Sequence, residues 1–306
     1  MRPPTALLIA LLATVAALRL PAAPAGPAAT PPAPTIRIGV ESEPGDRRFD
    51  FPAELLEAAL EASGAEARVE RVRGLTQPRM AQAVREGRLD VVALPSLRAP
   101  SPGLLGVRFP LRRGLLGVRV LLARPDRAEA LAAVASLDAL KRGFTKGYGH
   151  DWMDRAEMAA LGFRIETGSS YRGLFDMLRG GRFDYLSRGV SELQAELGDP
   201  ALAGSGLVVV PRIALFYPLD DFFFVGEDNA RLAADIERGL RVMLANGRYN
   251  ALLEQHYGDA MRAARIDERT VLHAVDYPVP DGTPLTRFDI LEPVRSQAIF
   301  RDPTAR

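Results

Sequence analysis

The residues best suited to chemistry lie together in one short segment, Gly147-Tyr-Gly-His-Asp-Trp152. It contains one of the three histidines, the only tryptophan and a carboxylate. Its glycines allow a ligand to approach the backbone, and the helix predicted just after it presents free amide groups to an anion. We therefore predict ligand contacts from Tyr148, His150, Asp151 and Trp152. The alternative is that Trp152 belongs to the core and that Asp151 only caps the helix.

The remaining residue patterns give little support to catalysis. The chain contains no cysteine, which excludes disulfides, thiolate metal sites and cysteine nucleophiles. It has no Gly-x-Ser-x-Gly, His-Glu-x-x-His or phosphate-binding loop motif, and no spacing typical of metal ligands. We expect no cofactor and no enzymatic activity. An enzyme is the alternative, with Glu41 or His150 as its general acid or base.

The first 25 residues have the pattern of a secretory signal peptide. Arg2 precedes an apolar run from about Ala6 to Leu18, and Ala23 and Ala25 form a small-residue cleavage site. The run is shorter than the ~20 residues that a membrane-spanning helix needs. We predict cleavage after Ala25, a periplasmic location and no membrane insertion of the mature chain. The alternative is that the segment stays as a membrane anchor.

Composition and charge narrow the range of partners. The 306 residues are 47% hydrophobic and 25% charged, which is typical of a globular protein long enough for two domains. The formal net charge is +1, and loss of Arg2 and Arg19 with the signal peptide leaves one net negative charge. A nearly neutral chain has no electrostatic basis for nucleic-acid binding, so we predict no nucleic-acid partner.

The candidate ligand contacts must be positioned by a framework of strands that alternate with helices. Short apolar runs such as Ile36–Val40 and Leu89–Leu94 predict buried strands, and the segments between such runs have the spacing of amphipathic helices. The alternation predicts an α/β fold with parallel strands. Ligands bind such sheets beyond the carboxyl ends of the strands. This rule adds predicted ligand contacts at Glu41, Ser42, Ser96, Arg98, Ser187, Arg188 and Tyr217.

One motif occurs twice, as Arg85-Glu-Gly-Arg-Leu-Asp-Val-Val and as Arg179-Gly-Gly-Arg-Phe-Asp-Tyr-Leu. Each copy has a helix end, a glycine stop, an aspartate and a strand, which predicts two similar α/β lobes. The long extended runs Leu115–Ala123 and Leu207–Phe216 are predicted as the two crossings between lobes. The predicted organisation is a signal peptide at 1–25, a flexible leader at 26–35, a first lobe of 36–115 plus 216–290, a second lobe of 116–215 and a tail at 291–306.

This order of elements resembles the type II periplasmic solute-binding proteins over about residues 36–258. The resemblance rests on IRIGVE, VREGRLDVV, SLDALKRGFTKGYGHDWMD and ANGRYNALLEQHYG, taken in that order. PLRRGLLGVRVLL and LFDMLRGGRFDYLSRGVSE extend it to the family 3, amino-acid-binding branch and its divergent transporter substrate-binding domain relatives. It implies a monomeric Venus flytrap that closes by hinge motion around a small-molecule ligand, with an ABC permease as partner.

The chain departs from that family at two positions. The family usually has an arginine soon after the strand matching LDVVAL, where this chain reads Ala99-Pro-Ser-Pro102, and an aspartate where this chain has Arg188. A standard amino acid is therefore not the expected ligand, and an arginine suits an anionic one. Because some relatives are dehydratases, an enzyme stays an alternative, as does a sensory or interaction module without a small ligand.

Three further arginines, Arg112, Arg113 and Arg119, flank the first predicted crossing. Long charged side chains in such a position usually lie on solvated faces, which is what we expect here. The alternative is that one of the three reaches the cleft.

Overall fold

The computed structural model describes residues 33–40, 48–95, 102–107, 109–198, 204–217 and 219–274. Helices pack on two separate mixed sheets, which define a first and a second lobe and confirm the predicted two-lobed α/β fold. None of the described helices is long and apolar enough to cross a membrane. The predicted signal peptide and tail lie outside the described residues, as do Glu41, Ser42, Ser96 and Arg98.

The first sheet has the strand order β2-β1-β3-β11-β4. These strands are β1 (Thr35–Gly39), β2 (Arg68–Val72), β3 (Val91–Pro95), β4 (Leu104–Gly106) and β11 (Asp221–Gly226). The first lobe also contains the helices α1 (Asp50–Ala62), α2 (Gln77–Arg85), α8 (Ala230–Ala245) and α9 (Arg248–Ala264). β1 runs parallel to β2 and β3, while β11 runs antiparallel to both of its neighbours. α1 buries the apolar face that its sequence predicts.

The second sheet has the order β12-β10-β5-β8-β6-β7, with β9 also beside β5. Its strands are β5 (Val118–Ala123), β6 (Lys146–Gly149), β7 (Ile165–Gly168), β8 (Tyr185–Gly189), β9 (Val208–Val209), β10 (Ile213–Phe216) and β12 (Thr270–His273). Its helices are α3 (Pro125–Ala132), α4 (Leu137–Gly143), α5 (Arg155–Ala160), α6 (Tyr171–Arg179) and α7 (Val190–Leu197). Apolar cores lie on both faces of this sheet.

The two runs predicted as crossings are instead strands of the second sheet. β5 pairs with β8, β9 and β10, and all six of its residues are buried, which explains its continuous apolar sequence. The links between the lobes lie before β5 and after β10. Asp220, in the second link, accepts hydrogen bonds from the backbone amides of Arg112 and Gly114 in the first.

The end of the described chain differs from the predicted division. β12 pairs in parallel with β10, so the segment after α9 returns to the second sheet, although residues 216–290 were assigned to the first lobe. The apolar residues of β12 pack against the second-lobe cores. The other predicted boundaries stay predictions.

The repeated motif has the same structural role in both lobes. Asp90, just before β3, accepts a hydrogen bond from the backbone amide of Arg37 in the neighbouring β1 at 2.8 Å. Asp184, just before β8, accepts one from the amide of Thr145, beside the start of β6, at 2.7 Å. Each aspartate also binds an arginine, Arg37 or Arg127. The motif therefore fixes the start of one strand against its parallel neighbour.

Candidate functional site

The two lobes meet around the loop that follows β6. The backbone amide of Met153 in this loop donates a hydrogen bond to Oε1 of Gln77, the first residue of α2, at 3.2 Å. Arg48, just before α1, places its guanidinium carbon 5.8 Å from the Trp152 ring and 4.3 Å from the Tyr171 ring. Both distances lie within the range of cation–π attraction. The loop thus joins residues of both lobes in one cleft.

An outer cavity of about 150 Å³ opens in this cleft and takes its lining from both lobes. The first lobe contributes Arg48 and Gly74–Thr76, and the second contributes Gly149–Trp152 and Gly168–Tyr171. His150, Asp151 and Trp152, three of the predicted ligand contacts, therefore lie together here. A Cβ at Gly149 would lie 2.5 Å from the Trp152 ring, so a glycine is needed where the indole lies against the strand end.

A smaller inner cavity of about 50 Å³ lies deeper between the lobes. Its lining is rich in charge, and the charged residues are Arg48, Arg112, Arg119, Asp154, Arg188, Glu192 and Asp221. Tyr148 and Trp152 are part of the same lining, so Trp152 borders both cavities. The cleft therefore offers aromatic surfaces, hydroxyl groups and arginines from both lobes.

Arg188 forms ion pairs with carboxylates of its own lobe. The residue is 1% exposed, and its side chain forms ion pairs with Glu192 at 3.0 Å and with Glu196 at 2.5 Å. Burial would raise the pKa of Glu192, but Arg188, with Arg119, outweighs this effect and lowers it to about 2. The structure therefore places Arg188 at the inner cavity with its charge already balanced by α7.

Two of the arginines expected on solvated faces are buried, so that expectation is wrong for Arg112 and Arg119. Arg112 forms an ion pair with Asp221 and donates a hydrogen bond from Nε to the hydroxyl of Tyr257 at 3.0 Å. Arg119 binds Glu192 at 2.9 Å. Both partners come from distant parts of the chain, and their carboxylates make it favourable to bury a guanidinium. Arg113 remains partly exposed.

The other predicted contacts have different positions. Tyr148 lines the inner cavity and donates a hydrogen bond from its hydroxyl to Oδ2 of Asp154 at 2.5 Å. Ser187 and Tyr217 are buried beneath the cleft and are absent from the lining of both described cavities. Among the described residues, no group of three or more histidine, aspartate or glutamate side chains could hold a metal ion.

Sequence reasoning missed Arg48 and the segment Gly168–Tyr171. The segment could have been found by the rule used for β6, because it follows the strand end of β7 and precedes a helix. Ser170 caps α6 by accepting a hydrogen bond from the amide of Gly173 at 3.1 Å. Arg48 lies in a stretch without a recognisable motif, and its contacts with Trp152 and Tyr171 span the two lobes.

Comparison with known proteins identifies the fold. No family model matches the sequence, and no curated protein matches it. The ligand-binding core of GluR0 with L-glutamate is similar at 18% identity and a TM-score of 0.57, over 74% of this chain and 99% of that one. The amino acid ABC transporter substrate-binding protein AbpA from Streptococcus pneumoniae, bound to L-arginine, has 11% identity and a TM-score of 0.55, over 74% and 95%.

A third similar structure is a histidine kinase sensor domain described as similar to periplasmic binding proteins. It has 20% identity and a TM-score of 0.52, over 74% of this chain and 97% of that one. At such identities the likeness establishes the fold. The chain has the two-lobed fold of the type II periplasmic binding proteins, and the resemblance predicted from its sequence is confirmed at that level.

Proposed function

We propose that this chain is an extracytoplasmic solute-binding protein that captures one small molecule between its lobes. The observation behind the proposal is the outer cavity, because both lobes line it, with Arg48 and Thr76 on one side and Trp152 and Ser170 on the other. A ligand there contacts both lobes only while they are together. This difference in contacts is what allows a ligand to drive closure.

The lining favours a small polar ligand with an anionic group. Arg48 supplies a guanidinium, and the hydroxyl groups of Thr76, Ser169 and Ser170 can bind a carboxylate or another oxyanion. Trp152 offers an aromatic surface to the rest of the molecule. In this proposal Arg48 rather than Arg188 attracts the anion, because Arg48 lines the outer cavity while Arg188 lines only the inner one.

A periplasmic location and an ABC permease partner complete the proposal. The signal-peptide pattern of the first 25 residues supports export. The similar protein from Streptococcus pneumoniae is itself described as an ABC transporter substrate-binding protein. Delivery to a permease would take place from the closed, ligand-bound state of the two lobes.

A sensory module without a small ligand is the second candidate, and the inner cavity favours it. Arg112, Arg119 and Arg188 each form ion pairs with carboxylates of the chain itself, so this part of the cleft balances its charge without a ligand. The similar histidine kinase sensor domain shows that the fold occurs in that context. An enzyme has less support, because no carboxylate of the described residues contacts the exposed His150.

Trp152 makes the proposal directly testable, since it is the only tryptophan and lines both cavities. Small carboxylates, amino acids and other metabolites are titrated while tryptophan fluorescence and Tm are recorded. We expect one chemical class to change the fluorescence saturably and to raise Tm by mass action. Arg48→Ala should weaken that binding at least about tenfold, which is the loss of roughly one charged hydrogen bond.

The matched control is Arg241→Ala, which removes an exposed arginine of α8 that is not part of the cavity lining. It should leave the ligand affinity unchanged. A broad library that changes neither fluorescence nor Tm would favour the sensory module, and turnover of a bound compound would favour the enzyme.

A further inference from the structure

A group of polar side chains lies on one face of the second sheet, within an otherwise apolar core. Lys146 of β6 is in register with Tyr185 of β8, and Ser187 of β8 is in register with Leu121 of β5. Alternate residues of a strand share a face, so Arg119 joins Leu121, and Tyr185 joins Ser187. The Tyr217 ring lies 5.1 Å from both the Lys146 ammonium and the Arg119 guanidinium.

Lys146 is fully buried without a counter-ion in contact. It is 0% exposed, and within the described part of the chain its Nζ forms no ion pair. Its one hydrogen-bond-like contact is with Sδ of Met158 at 3.5 Å, and aromatic rings surround it, with Phe163 the nearest at 4.7 Å. Burial, assisted by the charge of Arg119, lowers the pKa of Lys146 to about 7.

The other ionisable groups around Lys146 do not supply a direct partner. Asp154 acts to raise the lysine pKa, while Arg119 and Arg188 act to lower it. The Asp154 carboxylate is engaged by the hydroxyl of Tyr148, and Glu192 binds Arg119 and Arg188. The remaining titratable neighbours are tyrosines, including Tyr217, whose pKa burial raises. The surroundings of Lys146 therefore contain more donors and positive charge than acceptors.

Four more polar atoms of this face lack a hydrogen-bond partner. They are Nε of Arg119, Oγ of Ser187 and the hydroxyl oxygens of Tyr185 and Tyr217, all of them buried and without a partner among the described residues. Ser187 lies close enough to act on Tyr217 as a hydrogen-bonding group that lowers the tyrosine pKa, but the geometry between the two hydroxyl groups is too poor to satisfy either of them. Buried polar groups in folded proteins nearly always have partners. Several orphaned donors on one face indicate a missing acceptor.

We propose that this face of the second lobe encloses one small inorganic anion of the halide class, held by the Lys146 ammonium, Nε of Arg119 and the surrounding hydroxyl groups. An anion accepts hydrogen bonds from every one of these donors and brings the negative charge that Lys146 lacks. A water molecule could donate its hydrogens to the hydroxyl oxygens, but it would bring no negative charge to the two cations, which themselves offer no acceptor. Lys146, Tyr185, Ser187 and Tyr217 line neither cavity of the cleft, and Arg119 lines only the inner one, so the anion site shares no residue with the outer cavity proposed for the ligand.

The chain contains two lysines, which allows a sharp test by NMR of lysine-labelled protein. Lys141 is the internal control, because its Nζ lies over the same Phe163 ring, at 5.5 Å, but the residue is partly exposed. Chloride is titrated into gluconate buffer at constant ionic strength. We expect a saturable shift of the Lys146 signals and a higher Lys146 pKa, with Lys141 unchanged. Lys146 signals that ignore chloride would overturn the proposal and leave water as the occupant.

Thermal stability and diffraction supply independent tests. Chloride or bromide should raise Tm saturably by about 2–4 °C, and by less as the pH rises through 7 and Lys146 loses its proton. Lys146→Met should abolish this rise, whereas Lys141→Met should keep it. Equal halide effects in both variants would contradict the site. Should Lys146→Met fail to fold, bromide-soaked wild-type crystals decide the question, because an anomalous peak beside Lys146 and Ser187 is required.

Discussion

Arg188 donates hydrogen bonds from both Nε and Nη2 to a single carboxylate oxygen of Glu196, and both side chains are buried in the second lobe. The same guanidinium binds Glu192, which also accepts a hydrogen bond from the backbone amide of Gly189. The network ties the start of α7 to the end of β8. Its carboxylates depend on Arg188 for compensation, so the arginine supports the lobe whatever the cleft binds.

Arg188→Ala should lower the free energy of unfolding by about 3–5 kcal/mol, because it leaves the charges of Glu192 and Glu196 buried without their main partner. Chemical denaturation with urea measures the change. The control is Arg241→Ala, which breaks an exposed pair with Glu237 and should cost at most about 1 kcal/mol. Similar small losses in both variants would contradict the buried network.

Two buried tyrosines should respond differently to loss of their hydroxyl groups. Tyr148→Phe removes the hydrogen bond to Asp154 and should cost about 1–3 kcal/mol, since a buried carboxylate loses its donor. Tyr185→Phe removes a hydroxyl that has no described partner, and in halide-free buffer the unfolding free energy should stay within about 0.5 kcal/mol. Calorimetric unfolding of both variants makes the comparison, and a larger loss for Tyr185→Phe would refute it.

Gly117 marks the close approach of the two links between the lobes. A Cβ there would lie 2.0 Å from the carbonyl oxygen of Tyr217, so Gly117→Ala must push the links apart. We expect a loss of about 1–3 kcal/mol in unfolding free energy and altered ligand affinity. Gly143→Ala, at the end of α4, meets nothing within 4 Å and should be neutral or slightly stabilising. Equal behaviour of the two variants would argue against a tight hinge.

Lys146 predicts how stability depends on pH in halide-free buffer. Its pKa falls from an ordinary 10.5 to about 7 in the folded chain, chiefly through burial. Between these values the unfolded chain binds more protons, so stability rises with pH, by about 2 kcal/mol from pH 7 to pH 9 for this group. Well below pH 7 the lysine is protonated in both states and the contribution is constant. Denaturation curves across this range should show the rise in the wild type and lose it in Lys146→Met.

The alternation of apolar runs with amphipathic segments was enough to predict β1, β2 and β3, then β6, β7 and β8, together with the helices between them. The repeated motif correctly indicated two related lobes, because Asp90 and Asp184 each fix a strand against its neighbour. The crossings were misplaced because a strand buried on both faces has the same apolar sequence as an extended linker. β12 belongs to the second sheet because it pairs with β10. Pairing between strands so far apart in the chain could not be predicted from a local sequence pattern.

Residues that line the cleft could be predicted from the sequence only where they directly follow a predicted strand. This holds for His150, Asp151 and Trp152, which line the outer cavity together. The partners of Arg188 were visible in principle, since Glu192 and Glu196 are four residues apart on one face of the helix that directly follows β8. Arg48 could not be found this way, because its contacts belong to the other lobe.

The position of β12 has a consequence for shortened forms of this protein. Among the described strands, β12 alone pairs with the outer side of β10, whose Ile213–Phe216 segment is apolar and buried. A fragment ending at Ala264 would expose the unpaired backbone of that segment as a hydrophobic sheet edge. Such edges recruit strands from other molecules. By covering this edge, β12 therefore also protects the protein from aggregation. A chain truncated before β12 should self-associate.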